Sequence, residues 1–215
     1  MFLFLLGLFL FVPLANAKEV TVPLNIGFGP SVYHLNAPLG LEQSAYYGIH
    51  LDLAAVIDKE TLAKNQRKIP KKYRKMVKRL GEVKISHLLI PDALIISPRV
   101  KDTAMYGVTF RPVGIGQPIG TQNVRLKLNA GLLLTYAYIS QSVQTTHFLR
   151  PGIDLGATIE IKLHPRFIVS GGYALGVYIP QTLGGFGLGI GENSLWSMGQ
   201  GFVLLNYRHP FTTNL

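Results

Sequence analysis

Several stretches of this chain alternate apolar and polar residues with a period of two. In residues 149–163 every odd position is apolar, whereas the even positions are polar, charged or glycine. Because neighbouring side chains of a strand point to opposite faces, this pattern predicts β-strands. Seven such segments lie at residues 20–28, 46–57, 104–111, 124–138, 149–163, 167–179 and 201–208. Residues 88–97 are a candidate eighth strand, weakened by Pro91 and Asp92.

The two faces of these strands decide between a membrane barrel and a soluble β-protein. A soluble sandwich or lipocalin-like barrel turns its apolar face inward, and its surface carries roughly 25–35% charged residues. This chain has only 15% charged residues, and its polar face is rich in small residues such as Gly152 and Gly156. Eight is the smallest even number of strands in a closed outer-membrane barrel. The sequence therefore predicts an all-β fold, an antiparallel membrane β-barrel of about eight strands with a basic helical insertion.

The N-terminus predicts export. Residues 1–17 form an apolar run that ends in Ala15, Asn16 and Ala17, which is the pattern of a signal peptide cleaved after Ala17. The run is shorter than the ~20 residues that a membrane-spanning helix needs. Residues 18–215 then form the barrel. The chain has no cysteine, which excludes disulfides and thiolate zinc sites.

Positive charge is concentrated in one insertion, residues 58–87. The chain has a net charge of +10, and residues 59–84 hold eleven of its 21 Lys and Arg residues. Asp58 suits the N-cap of a first helix that runs to residue 68, and Pro70 and Gly81 suit the two ends of a second helix. The second helix has an apolar stripe of Tyr73, Met76, Val77 and Leu80, flanked by Lys71, Lys72, Arg74, Lys75, Lys78 and Arg79.

Three uses of this amphipathic helix are open. It could lie on the membrane, with its cations over anionic lipid phosphates. It could cap the barrel mouth, or it could be a solvated helix whose stripe covers a strand end. With both termini in the periplasm, the insertion faces the periplasm, and residues 29–44, 98–103, 140–148 and 180–196 lie outside the cell. Nucleic acid is therefore excluded as a partner of the basic segment.

The polar strand face predicts a charged barrel interior. It places three acids and six bases in the lumen, together with His50. The acids are Asp52, Asp154 and Glu160, and the bases are Arg111, Arg125, Lys127, Arg150, Lys162 and Arg208. Buried charges must pair, so this interior is a salt-bridged network with a basic excess. An anion conduit is the alternative, but side chains fill the interior of an eight-stranded barrel.

Taken together, the exported N-terminus, the long alternating strands and the glycine-rich polar face resemble the small bacterial outer-membrane β-barrels. Residues 51–58, 69–74, 89–92 and 105–107 are similar to uncharacterised exported proteins of Gram-negative bacteria. The resemblance implies insertion into the outer membrane by the barrel assembly machinery. It implies no assigned activity.

Catalytic signals are weak. The chain has no H-E-x-x-H and no G-x-S-x-G motif, and only Ser86–His87 and Thr146–His147 place a hydroxyl beside a histidine. Neighbours in a strand point to opposite faces, so neither pair is a nucleophile and its base. We therefore expect no enzyme, metal or cofactor. The predicted function is a non-enzymatic outer-membrane barrel whose basic helix engages anionic lipid or caps the barrel mouth. The alternatives are a narrow pore or lipid-transfer conduit gated by that helix, and a lipid-modifying enzyme.

Overall fold

The computed structural model describes residues 19–37, 45–65, 67–87, 89–100, 103–121, 123–142, 145–179 and 195–214. The predicted signal peptide and most of the loop at 180–196 lie outside these residues. The strands are β1 (Glu19–Asn36), β2 (Tyr46–Asp58), β3 (Glu82–Ile85), β4 (Ala93–Val100), β5 (Thr103–Phe110), β6 (Val113–Gly120), β7 (Val124–Ser140), β8 (Thr145–His164), β9 (Phe167–Tyr178) and β10 (Trp196–Asn214). The helices are α1 (Lys59–Asn65) and α2 (Lys71–Leu80).

The strands close into an antiparallel barrel of eight wall positions. β1 pairs with both β2 and β10, which closes the ring. β3 and β4 share the third position, because both pair with β2. β5 and β6 share the fourth position, because both pair with β7. The predicted barrel of about eight strands is confirmed.

Some predicted boundaries were wrong. The insertion ends at Gly81 and not at residue 87, because Glu82–Ile85 pairs with the end of β2 as β3. The predicted strand at 88–97 begins five residues later, as β4. The strand β6 was not predicted, since its three glycines and one proline obscure the alternation. The predicted external loop at 29–44 is also too long, because β1 continues to Asn36.

The barrel is apolar outside and polar inside. On β8, Ile153, Leu155 and Ile159 are 53–63% exposed, whereas Asp154 and Glu160 on the same strand are buried. The same division holds on β1, where Ile26 and Phe28 are exposed and Asn25 is buried. This is the reverse of a soluble barrel and the arrangement of a barrel that spans a membrane.

The insertion folds as two helices, which we call the helical hairpin (residues 59–80). Asp58 caps α1 as predicted, and its Oδ1 accepts a hydrogen bond of 2.8 Å from the backbone N–H of Thr61. The helix ends at Asn65, three residues before the predicted end. α2 begins directly after Pro70 and ends at Gly81, whose φ of 94° favours glycine. Within the described residues, no helix is long and apolar enough to cross a membrane.

The helical hairpin packs on the outer wall of the barrel. Val77 of the predicted stripe is fully buried in a cluster that includes Ile57 and Val83. Lys84 reaches Asp52 inside the lumen, so the adjacent Val83 points outward. Tyr73 and Met76 pack against the same cluster, and Leu80 is half-buried. The stripe therefore covers outward-facing residues of strand ends, which does not fit a cap across the barrel mouth.

The hairpin also protects a strand edge. β1 pairs with β2 only from Leu24 upward, so residues 19–23 lack a β2 partner. Near this edge, the Asn65 side chain donates a hydrogen bond of 3.2 Å to the Thr21 carbonyl oxygen. The outward side chains of Val20 and Val22 are buried by the same packing. Covering an edge in this way prevents pairing with another chain.

Replacing Val77 with aspartate should release the helical hairpin from the wall without opening the barrel. Burying a valine contributes about 1.5–3 kcal/mol, so its loss raises the undocked population by about tenfold or more. Trypsin cleavage within residues 59–80 should accelerate by the same factor, because cleavage follows the open population. Ala63→Asp adds the same charge at an exposed position of α1 and is the matched control. Equal cleavage rates for the two variants would contradict this packing.

Candidate functional site

One half of the lumen lies nearer the predicted external loops, at the end opposite the helical hairpin. Apolar and aromatic side chains fill this half. We call this the lumenal apolar core; it consists of Tyr33, Tyr46, Ala93, Ile95, Met105, Leu133, Ala137, Ile139, Phe148, Tyr178, Trp196 and Met198. Phe148 meets Trp196 edge-on, with ring centroids 4.8 Å apart. The guanidinium of Arg150 lies 4.4 Å from the Trp196 ring centroid and donates a 3.3 Å hydrogen bond to the Ile179 carbonyl oxygen. Arg150 therefore lies within this apolar half.

The other half of the lumen contains buried ion pairs. Lys127 is 2% exposed, lies 3.1 Å from Glu82, and also contacts Glu160. Arg125 binds Glu160 at 2.6 Å. The Glu82 side chain is itself only 1% exposed, so its charge depends on these neighbours for compensation.

A second group of ion pairs lies toward the middle of the barrel. Lys84 Nζ is 2.7 Å from Asp52. Arg111 pairs with Asp92 and also with Asp154, the latter at 3.2 Å.

His50 connects these ion pairs to the lumenal apolar core. Its Nε2 is 3.8 Å from Asp92. Its Nδ1 is 3.0 Å from the side-chain nitrogen of Gln200, which also donates to the Tyr33 hydroxyl at 3.1 Å. The polar contacts thus continue from the ion pairs to the edge of the apolar half.

The lumen has no basic excess, which corrects the sequence analysis. Among the described residues, five acids (Asp52, Glu82, Asp92, Asp154 and Glu160) face five bases (Lys84, Arg111, Arg125, Lys127 and Arg150). Glu82, Lys84 and Asp92 were missed because they fell in the predicted insertion and in a weak strand. The alternation of Glu82 and Lys84 with Val83 and Ile85 was the signal that could have found the first two. Lys162 is exposed and lies apart from the network, and Arg208 is 4.0 Å from Asp58.

The ion pairs surround a cavity of about 80 Å³, which has room for a few water molecules. Within the described chain, no group of three or more His, Cys, Asp or Glu residues could hold a metal ion. Ser86 Oγ donates to the Leu53 carbonyl oxygen at 2.9 Å, while the neighbouring His87 is exposed. Thr146 is buried and His147 is exposed, so their side chains lie on opposite faces. The structure thus assembles neither pair as nucleophile and base.

The helical hairpin presents its cations away from the barrel. With 3.6 residues per turn, Lys71, Lys75 and Lys78 lie opposite the apolar stripe, and all three are exposed. Lys72 and Arg79 are exposed on the flank, and Lys72 Nζ lies 4.9 Å from the Tyr73 ring centroid. The remaining member of the predicted basic set, Arg74, is half-buried. The hairpin therefore carries an exposed basic surface on the side that faces away from the barrel.

Removing the Lys127 charge should destabilise the barrel strongly. Lys127→Met removes the more deeply buried of the two cations that contact both Glu82 and Glu160 and leaves Arg125, which is 4.0 Å from Glu82. Breaking a buried ion pair costs about 3–5 kcal/mol. We expect the variant to unfold in lipid vesicles at a lower urea concentration than the wild type. Heat-modifiable gel migration measures the folded fraction at each concentration. Lys162→Met removes the same charge from an exposed site and is the matched control. Similar midpoints for both variants would contradict the network.

No family model and no curated protein matches the chain. Among solved structures, it is similar to Ail, the attachment invasion locus protein of Yersinia pestis, with 12% identity, a TM-score of 0.46, and coverage of 87% of this chain and 99% of that one. Neisserial surface protein A gives 11% identity, a TM-score of 0.46, and coverage of 86% and 97%. The N-terminal β-barrel domain of Pseudomonas aeruginosa OprF gives 13% identity, a TM-score of 0.41, and coverage of 88% and 100%. All three are small outer-membrane β-barrel proteins of Gram-negative bacteria.

Proposed function

We propose that this protein is a non-enzymatic outer-membrane β-barrel whose helical hairpin binds anionic phospholipid headgroups beside the barrel. The observation that supports the proposal is the placement of the hairpin. Its apolar stripe packs against the outer wall of the barrel. The exposed cations on the opposite face of α2 therefore point away from the barrel axis, toward the surrounding lipids. A ligand on this surface is therefore a neighbour of the barrel in the plane of the membrane.

The level of the hairpin along the wall fits lipid headgroups. Ile26 and Phe28 of β1 are exposed to the bilayer, whereas Val20 and Val22, nearer the terminus, are covered by the hairpin. Lysines cannot face hydrocarbon without a large cost in free energy, so the hairpin lies where the apolar belt ends. At an anionic surface, each cation contributes about 1 kcal/mol to binding.

The hairpin belongs on the periplasmic side in this proposal. It shares its end of the barrel with the start of β1, the end of β10 and the β8–β9 turn, in which only Pro165 and Arg166 separate the strands. Short turns in outer-membrane barrels lie in the periplasm, and longer loops lie outside the cell. Export with cleavage after Ala17 and insertion by the barrel assembly machinery would deliver the protein there.

The pore and conduit alternatives have little support in the described part of the lumen. The lumenal apolar core fills one half, and the ion pairs fill the other around a small cavity. The hairpin lies on the outside, where its movement would not open a path through the barrel. A lipid-modifying enzyme would need a nucleophile and base in contact, and neither hydroxyl–histidine pair provides them.

Removing two hairpin charges should weaken the preference for anionic lipid. For Lys75→Gln with Lys78→Gln, a loss of about 2 kcal/mol corresponds to about thirtyfold in relative association. The measurement is electron paramagnetic resonance of spin-labelled phosphatidylglycerol and phosphatidylcholine around the reconstituted protein. Lys162→Gln with Arg166→Gln removes two exposed charges from the same end and is the control. The wild-type preference should shrink at high salt, and equal effects of the two double variants would contradict the proposal.

The protein should not conduct ions, with or without a docked hairpin. In planar lipid bilayers, we expect no stable conductance steps from the wild type or from Val77→Asp, because the lumen is filled by side chains rather than closed by the hairpin. Conductance that appears only in Val77→Asp would instead support a gated pore.

A further inference from the structure

The third position of the barrel wall is interrupted between β3 and β4. The pairing of β2 changes from Ala55 opposite Ile85 to His50 opposite Ala93. In the sequence, seven residues therefore separate Ile85 from Ala93, whereas only four separate His50 from Ala55. An excess of three residues in one strand must leave the plane of the sheet.

Both ends of this interruption are bonded to the neighbouring strands. The Asp92 carbonyl oxygen accepts a 2.7 Å hydrogen bond from Leu51 N–H, and Asp92 N–H donates to Thr109 at 2.7 Å. Ser86 N–H donates to the Pro112 carbonyl oxygen at 3.0 Å, and Ser86 Oγ bonds to Leu53. The wall is therefore closed by Ser86 and Asp92. Pro91 lines the lumenal cavity, whereas His87, Leu89 and Ile90 lie outside these pairings, and we call these three residues the wall bulge.

The wall bulge projects outward, toward the bilayer. The Asp92 side chain turns into the lumen to pair with Arg111, and the lumen at this level is occupied by ion pairs. Leu89 is 77% exposed, more than any other large hydrophobic residue of the described chain. Ile90 is half-buried, and its N–H donates to His87 at 2.9 Å within the bulge.

The wall bulge lies beside the helical hairpin. Ile85, the last residue of β3, packs against the same buried cluster as Tyr73 and Met76 of α2. Ser86 follows directly, so the bulge begins one residue beyond the patch that the hairpin covers. It stands on the hydrocarbon side of the hairpin, because β3 runs from the hairpin toward the middle of the wall.

An apolar projection next to exposed cations matches the two parts of one phospholipid. We propose that the outer wall between the wall bulge and the helical hairpin holds one anionic phospholipid. An acyl chain contacts Leu89 and Ile90, and the phosphate contacts the hairpin cations. This inference rests on the proposed function. It replaces a general attraction between the hairpin cations and anionic headgroups with a single phospholipid-binding site.

The test is native mass spectrometry of the detergent-solubilised protein titrated with phosphatidylglycerol or phosphatidylcholine. We expect one phosphatidylglycerol to bind first and more tightly than phosphatidylcholine. Leu89→Ser with Ile90→Ser should weaken that first step by about tenfold, since apolar contact is lost. Ile153→Ser with Leu155→Ser changes two exposed residues on β8 and should leave the affinity of the first phosphatidylglycerol unchanged. Heat-modifiable migration confirms that each variant is folded.

The outcomes separate this site from the proposed function. If the wall-bulge variant binds like the wild type while Lys75→Gln with Lys78→Gln weakens binding, the single site is wrong and headgroup attraction stands. If neither variant changes binding, both are wrong.

A second measurement avoids dependence on the serine variant. A tryptophan at Leu89 should be quenched more by brominated phosphatidylglycerol than by brominated phosphatidylcholine, whereas one at Leu155 should show no difference. Trp196 is buried in the lumenal apolar core and gives a constant background. Equal quenching at Leu89 by the two lipids would overturn the site.

Discussion

The structure depends on one constraint: within a bilayer, the backbone hydrogen bonds of a strand must be made by the wall itself. Pairing of β1 with both β2 and β10 meets this constraint across the bilayer, because it closes the ring. Once the ring is closed, alternation along each strand sends one set of side chains to the lipid and the other to the lumen. The exposed Ile153 and the buried Asp154 on β8 are a direct consequence.

Closure also determines what the lumen must contain. Charges that enter a narrow, nearly dry interior are stable only when paired. Four of the lumenal charges come from the irregular third and fourth wall positions: Glu82, Lys84, Asp92 and Arg111. They pair with partners on the regular strands, such as Lys127 and Asp154. The ion pairs therefore fasten the short strands β3 to β6 to the long strands of the barrel.

The outer wall carries the features that favour a role with lipid. Helices that pack outside a barrel must cover an apolar surface, and the helical hairpin does so with Val77 over Ile57 and Val83. Its lysines are then left facing sideways, beside the end of the apolar belt. The wall bulge stands next to this surface and presents Leu89 toward the bilayer. Both features interrupt a wall that is otherwise regular, and both lie on the same side.

The sequence by itself determined the fold class, because a period of two over long segments depends only on local chain geometry. It also identified Asp58 and Gly81 as helix ends, which are local hydrogen-bonding and φ requirements. It could not determine which surface the apolar stripe of α2 packs against, since the same stripe could cover the outer wall or the barrel mouth. Nor did it balance the lumen, because β3 alternates over only four residues and Asp92 faces the lumen only through the tertiary structure. The tertiary structure determined the packing of the stripe and the charge balance of the lumen, since strand pairing sets the face of the wall on which each residue lies.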